Sequence, residues 1–302
     1  MFFDTVFMQH ALLAGTGVGL ACGIIGYLTV LRAQVFMSDA LGHVAFVGSL
    51  AALVSGLPLM LGLFLATVGT GLFLGVLGQD GGRPRGAGGK RDGGSRSGSL
   101  IADDIAIGSL FAWILAVGAF LLTVYTTRNS AGNSSGGVNV LFGSILGLSA
   151  AQAWTGLGVG LLVCALTLVL ARPLIFSTID PAVASANGIP VRLIGIAFAG
   201  LMGLCAAQAT MAVGSLLLLG LISAPGGAAR ALTANPYRGL ALSGGIALGS
   251  VWLGLALSAW IPHFTPATAI IGVAGLCFVL AHVPGLVAMR LSGRRTASGA
   301  QI

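Results

Sequence analysis

Two residues that can bind a metal ion, Asp39 and His43, interrupt a long apolar part of the sequence. If this stretch is helical, a spacing of four residues places both side chains on one helix face, one turn apart. A carboxylate oxygen and an imidazole nitrogen presented together can hold one divalent cation. Ionisable residues inside apolar segments are costly and usually mark the path of a substrate or an ion. The pair therefore predicts a metal-binding site within an apolar region.

A simpler interpretation of the same pair stays open. Asp39 could be the N-cap of a helix at the boundary between lipid and water, with His43 merely facing a neighbouring helix. The next apolar run covers about residues 44–54, and a helix there would include part of the stretch that carries the pair. The rest of the chain has to decide between the two interpretations.

The composition defines the class of protein that surrounds the pair. Of the 302 residues, 56% are hydrophobic and 7% are charged, whereas soluble domains carry about 25% charged residues. Continuous apolar runs of about 20 residues predict membrane-spanning helices, and their lack of alternation favours helices over a β-barrel. We therefore predict an all-α integral membrane protein, a bundle of about eight or nine transmembrane helices.

Prolines and charged residues predict the ends of the later spans. The fifth span is expected to end at Arg172-Pro173, the sixth near Ala207, and the seventh to cover 211–224 before a basic loop that begins at Pro225. The predicted organisation is a transmembrane domain over 1–290 and a cytoplasmic tail over 291–302. Within the domain, 79–99 is a flexible basic cytoplasmic linker rich in glycine and arginine, and 174–190 is a cytoplasmic connecting stretch of mixed composition.

The distribution of arginines predicts the orientation of the chain. With nine spans and the amino terminus outside, nearly all of the basic residues and the carboxyl terminus fall in the cytoplasm, as the positive-inside rule requires. The formal net charge of +7 is then a signal of topology. Since no basic face carries interleaved aromatic residues, we expect no nucleic-acid partner.

Missing residue types exclude several activities. The chain has no glutamate, which removes the HExxH zinc proteases and the glutamate-rich di-iron bundles. Its single lysine, Lys90, lies in no GxxxxGK frame, so the chain has no P-loop. We predict that the protein is not an enzyme and hydrolyses no ATP, so that energy comes from a partner or an ion gradient.

A second informative stretch begins at Asp180. Asp180 suits the N-cap and Pro181 the first position of a short helix of small residues, which Gly188 would close in the left-handed conformation. By the topology above, this helix is cytoplasmic. A short helix with small side chains can dock into a cleft on a soluble partner, whereas the alternative is an ordinary loop helix on the membrane surface.

At this point the sequence resembles the permease subunits of bacterial ABC importers for zinc, manganese and iron. The resemblance covers nearly the whole chain and rests on four stretches in order: DALGH at 39–43 followed by Gly48, LFGSIL at 141–146, the spacing Asp180, Ala184, Gly188-Ile189, and VGSLL at 213–217 leading to Ala224-Pro225 and AAR at 228–230. The chain departs from the pattern in the turn at 265–268, which lacks a Ser-Gly-like pair, and in the long linker over 79–99.

The resemblance implies roles for residues and partners. Asp39 and His43 would contact a divalent metal in the translocation path, and Asp180, Ala184 and Gly188 would couple the chain to an ATPase. The partners would be a second permease copy, two ATP-binding subunits that use ATP and magnesium, and an extracellular metal-binding protein. The chain would have no cofactor of its own and would lie in the bacterial plasma membrane.

Two other functions would each require features different from the Asp39–His43 pair. A permease for a chelated metal, such as a siderophore or cobalamin, would need a wider cavity without paired ligands. An intramembrane metalloenzyme would need a third protein ligand and a general base. His263, in the turn after Pro262, is a candidate entry ligand, although a solvated loop histidine is the simpler interpretation; His10 and His282 fit interfacial positions.

Overall fold

The computed structural model describes residues 6–77, 95–128, 143–261 and 265–299. Within these ranges the regular structure is entirely helical, which confirms the predicted fold class. The described residues form a turn of 3₁₀ helix, Ile145–Gly147, and ten α-helices: α1 (Val6–Leu31), α2 (Val35–Ser55), α3 (Leu59–Leu77), α4 (Ser95–Arg128), α5 (Ala150–Ile179), α6 (Pro181–Ala186), α7 (Val191–Val213), α8 (Leu218–Leu232), α9 (Pro236–Trp260) and α10 (Pro266–Gly299).

Seven of the described helices are long and apolar enough to cross a membrane: α1, α2, α3, α5, α7, α9 and the first part of α10. Two shorter apolar segments are residues 111–127 of α4 and the whole of α8. The 15 residues of α8 give a length of about 22 Å at the α-helical rise, which is less than the hydrocarbon thickness of about 30 Å. In the described part of the chain, full spans are therefore combined with α8, an apolar helix that is too short to span.

Helix α1 lies at the centre of the bundle and packs against α5, α8 and α9. Its glycines allow these contacts, because a Cβ on Gly17 would lie 2.7 Å from the carbonyl oxygen of Gly156 on α5. In the same way, a Cβ on Gly26 would lie 2.0 Å from the carbonyl oxygen of Ile222 on α8. Small residues usually mediate close helix packing in lipid, because no hydrophobic effect drives helices together there and van der Waals contact has to hold them.

A second group of helices holds α2 in place. Helix α3 packs between α2 and α7, and α4 packs along α2. A Cβ on Gly48 of α2 would lie 2.7 Å from the carbonyl oxygen of Gly62 on α3, so these two backbones touch. On the other side of α2, Phe46 and Tyr125 of α4 belong to one buried apolar cluster. Helix α2 is therefore fixed along most of its length before any ligand is considered.

Three predicted boundaries are wrong. Helix α5 does not end at Arg172-Pro173 but continues through Pro173 to Ile179, so the stretch 174–190 begins as helix. Helix α7 does not end near Ala207 but at Val213. Helix α8 includes Pro225, where a loop was expected. Proline inside a helix is tolerated in membrane proteins because neighbouring helices and side-chain hydroxyls satisfy the freed backbone groups.

The predicted linker over 79–99 lies mostly outside the described residues. Its last five residues belong to α4, which begins at Ser95.

Two thiols meet where α1 contacts α7. The sulfur atoms of Cys22 and Cys205 are 3.7 Å apart, and both side chains are buried. Cys164 on α5 is also buried, and all three are free thiols. The contact joins the central helix to the helix that leads to the α7–α8 connection.

Candidate functional site

Asp39 and His43 lie inside α2, as its fifth and ninth residues. Both side chains are partly buried, and the helical spacing places them on one face, one turn apart. The N-cap of α2 is Gln34, so the alternative in which Asp39 caps the helix is wrong. The carboxylate of Asp39 is therefore not the N-cap of this helix.

The imidazole of His43 packs against α4. Its ring meets the ring of Phe111 edge to face, with centroids 4.9 Å apart and planes at 85°. Edge-to-face contacts of this kind are favourable and fix the orientation of a ring. Phe111 therefore restricts the directions in which the His43 nitrogens can point.

A break between two helices lies against α2 between the members of the pair. Helix α7 ends at Val213, its C-cap Gly214 has φ 95° and ψ 158°, and α8 begins at Leu218. A Cβ built on Gly42 would lie 3.1 Å from the carbonyl oxygen of Ser215 and 3.0 Å from Cδ2 of Leu218. Since Gly42 lies between Asp39 and His43 in sequence, the break brings backbone oxygen to the level of the pair. We call residues 214–217 the α7–α8 break.

The segment 143–147 closes over the other side of this break. Gly143 has φ 70°, and a Cβ on it would lie 2.5 Å from the backbone nitrogen of Gly214. The amide of Ser144 donates to the carbonyl oxygen of Met211 over 3.4 Å. Among the described residues, the buried hydroxyl of Ser215 has no hydrogen-bond partner. Three of the four stretches that carry the sequence resemblance therefore meet at one place.

The sequence alone does not predict the α7–α8 break as part of the site, although the stretch 213–217 belongs to the resemblance. The break was expected before Met211, and α8 was expected to be a full span. One signal was present: Gly214 follows directly after an apolar helical run and precedes a second one, which is where a helix commonly ends. Its contact with α2 had no signal in a single sequence.

The short helix predicted after Asp180 is confirmed as α6. A carboxylate oxygen of Asp180 accepts from the amide of Val183 over 2.9 Å, and Pro181 is the first residue of the helix. Gly188 has φ 76° and ends the motif in the left-handed region. Ala184 is fully buried, so it packs α6 onto the bundle, whereas Asp180 and Gly188 are exposed.

The two other histidines in the described residues, His10 and His282, do not join the pair. Within the described part of the chain, no group of three or more His, Cys, Asp or Glu residues could hold a metal ion. His282 is exposed on α10, where Nδ1 is 2.9 Å from the carbonyl oxygen of Phe278, and His10 is partly buried near the start of α1. His263 lies outside the described residues.

The fold and the position of the pair define a polytopic helical membrane protein with a broken helix beside two potential ligands, an arrangement typical of transporters. Two solved structures share this fold. One is PsaBC from Streptococcus pneumoniae in complex with Fab, with a TM-score of 0.74, 22% identity and 92% coverage of both chains. The other, a metal-chelate type ABC transporter in an inward-facing conformation, has a TM-score of 0.63, 18% identity and coverage of 92% and 86%.

The model of the ABC 3 transport family matches residues 4–82 and 96–284, and the chain belongs to this family. A manganese transport system membrane protein, MntC of Halalkalibacterium halodurans, is 33% identical over 77% of this chain and 73% of its own. A probable iron transport system membrane protein of Haemophilus influenzae is 24% identical over 91% and 89%. The chain is thus a transport permease and a multi-pass protein of the bacterial plasma membrane.

Proposed function

We propose that this chain is the membrane-spanning subunit of an ATP-driven importer that carries a divalent transition metal, with manganese as the first choice and iron(II) and zinc next. The observation that carries the proposal is the close approach of the α7–α8 break to Gly42, which lies between Asp39 and His43 on α2. Support for the metal comes from the relatives, which are named for manganese and iron transport.

The donor set of the pair suits a site that metal passes through. Carboxylate and carbonyl oxygens are preferred by manganese, and imidazole binds iron and zinc as well. Asp39 and His43 supply two donors, and the described residues add no third side chain of the His, Cys, Asp or Glu type. Water, backbone oxygen such as that of Ser215, or a second copy of the chain would complete the shell. Conduction requires binding that is strong enough for entry and weak enough for release.

The energy and the direction of transport are assigned to partners. Two copies of the chain would form the path, each contacting an ATP-binding subunit through α6, and an extracellular protein would deliver the metal. The positive-inside rule places α6 and the carboxyl terminus in the cytoplasm. ATP binding and hydrolysis in the partner would shift the path between outward-facing and inward-facing states, since a ligand shifts an equilibrium only by binding the two states differently.

The test is manganese uptake by proteoliposomes that contain the complete transporter with Asp39→Asn or His43→Ala. Uptake should fall by at least about tenfold in each, since loss of even an outer-shell partner of a metal ligand costs about 10–100-fold. His282→Ala is the matched control, because this histidine is exposed and distant from the pair in sequence. Wild-type uptake by either site variant would make the site assignment wrong.

The same vesicles separate metal-ion import from import of a chelated metal. Free Mn²⁺ and a ferric siderophore complex are offered in parallel to the wild-type transporter. We expect accumulation of the free ion. Accumulation of the chelate alone would contradict the proposal and favour the second function.

A further inference from the structure

Arg32, in the corner between α1 and α2, holds the end of α5. Its Nε donates to the Thr178 hydroxyl over 2.9 Å, and one terminal nitrogen, Nη2, donates to the Ser177 hydroxyl over 2.9 Å. The guanidinium carbon also lies 5.0 Å from the ring centroid of Phe198 on α7, within the range of a cation–π contact. One side chain therefore joins the α1–α2 corner to two further helices.

The corner that carries Arg32 is short and tight. Three residues separate α1 from α2, and Ala33 adopts the left-handed conformation with φ 55°. The amide of Gln34 donates to the carbonyl oxygen of Thr29 over 2.9 Å. Only Ala33 and Gln34 separate Arg32 from the start of α2, the helix that holds Asp39 and His43.

The partners of Arg32 are as closely connected to α6. Thr178 is two residues before Asp180, which is at once the C-cap of α5 and the N-cap of α6. The amide of Asp180 donates to the carbonyl oxygen of Phe176 over 3.1 Å. No free linker lies between the hydroxyl groups that Arg32 binds and the exposed helix α6.

Arg32 is a charged residue whose hydrogen-bond partners are neutral, so its contact with the end of α5 can rearrange without separating two opposite charges. Burial lowers the pKa of its guanidinium to about 10, so the group is still positively charged at neutral pH. Both of its hydrogen bonds go to neutral hydroxyl groups. Breaking a buried pair of opposite charges leaves a charge without its partner, which is strongly destabilising, whereas a hydroxyl released from this contact leaves no buried anion.

We propose that Arg32 is a positioning residue that transmits a displacement of α6 to α2, and thereby couples the ATP-binding partner to the Asp39–His43 pair. The inference rests on the proposed function, because it takes α6 as the contact to the ATPase. Arg32 itself touches neither the metal nor ATP. Its effect is mechanical and appears in the number of metal ions imported for each ATP hydrolysed.

The experiment measures manganese uptake and ATP hydrolysis by the reconstituted transporter with Arg32→Gln, Arg32→Lys, and the double variant Ser177→Ala/Thr178→Val. We expect Arg32→Gln to lower the uptake per ATP at least about tenfold while ATP hydrolysis continues. Arg32→Lys should be intermediate, because an ammonium lacks the planar fork that reaches two hydroxyls at once. Arg172→Gln, on the exposed side of α5, is the matched control and should leave the ratio unchanged.

A double-mutant cycle separates transmission from a general loss of stability. If Arg32 acts through the two hydroxyls, combining Arg32→Gln with the hydroxyl double variant should be no worse than Arg32→Gln alone. Independent, multiplying losses would overturn the proposal, as would normal uptake per ATP in all variants. If Arg32→Gln does not insert into the membrane, Arg32→Lys and the hydroxyl variant decide by the same ratio.

Failure of the proposed function looks different. If the wild-type transporter imports no metal, or if substitution of Gly188 leaves coupling intact, the metal or the docking role of α6 is wrong. Uncoupling by a Gly188 substitution together with normal coupling in every Arg32 variant would refute the Arg32 inference alone.

Discussion

Gly42 is the residue on which the geometry of the proposed site depends most closely. Its hydrogen atom faces the carbonyl oxygen of Ser215 and the end of the Leu218 side chain. Gly42→Ala should retain much of the uptake, because its Cβ would lie 3.0 Å from Leu218 Cδ2 and 3.1 Å from the Ser215 oxygen, and shifts of a few tenths of an ångström relieve both contacts. Gly42→Val should abolish uptake, because overpacking of about 1–3 kcal/mol would push the α7–α8 break away from Asp39 and His43. The measurement is manganese uptake at matched expression.

The control for Gly42→Val is Gly158→Val on α5, where an added Cβ meets no atom within 4 Å. This variant should transport as the wild type does. Full uptake by Gly42→Val would show that the path does not depend on the close approach of the break.

At the residue scale, the sequence predicted the spacing of the pair on one helix but not the α7–α8 break that contacts this helix. The helical spacing of Asp39 and His43 follows from local rules, and the structure confirms it. The contact of Gly42 with Ser215 joins residues that are far apart in the chain. Local sequence does not encode such a contact. A glycine indicates that another group can approach the backbone closely, but it does not show which group.

Among the helices, α6 offers the sharpest test of coupling. Gly188 has φ 76°, and a Cβ on it would meet nothing within 4 Å inside the chain. Gly188→Val should therefore cost about 1–3 kcal/mol of backbone strain and shift the end of α6, with loss of the ATPase stimulation by the loaded binding protein. Gly188→Asn should preserve coupling, since asparagine tolerates this conformation. Stimulated ATPase activity of the purified complex is the measurement.

Gly56, the C-cap of α2, provides the comparison for backbone strain. Gly56 has φ 75° and an equally open Cβ position, so Gly56→Val carries the same strain in a different turn. Its ATPase stimulation should remain normal. Equal loss in Gly56→Val and Gly188→Val would mean that strain alone, and no docking surface, explains the effect.

At the scale of helices, capping chemistry was more reliable than proline as a guide. Asp180, Pro181 and Gly188 predicted α6 correctly, because caps are satisfied locally by backbone groups within a few residues. Pro173 and Pro225 predicted helix ends that do not occur. In an apolar setting the helix continues past a proline, since leaving the chain irregular would expose many more backbone groups.

For the molecule as a whole, the basic linker is predicted to be dispensable for transport. Residues 79–94 are rich in glycine and arginine, a composition that cannot bury enough apolar surface to build packed structure. Deleting residues 83–94, and thus sparing α4 from Ser95, should leave manganese uptake near the wild-type level. Loss of uptake at normal expression would instead make this stretch a docking or regulatory element.

The class of the molecule followed from composition, but the arrangement of its helices did not. Apolar runs predict spans because lipid leaves the chain few alternatives to a helix. Which spans become neighbours depends on the fit of small residues across helices, as between Gly17 and Gly156, and glycine is too frequent in this chain for a unique set of pairs to be predicted. The central position of α1 therefore came only from the structure.

The two thiols between α1 and α7 have a practical consequence. With sulfur atoms 3.7 Å apart, the buried thiols of Cys22 and Cys205 mark the contact between α1 and α7 without an engineered cysteine. A disulfide between them would record how often the two helices hold this approach, and the cross-linked fraction could be compared in the resting and nucleotide-bound transporter. In the wild-type chain, this pair thus reports on the contact between α1 and α7, the helix that ends at the α7–α8 break.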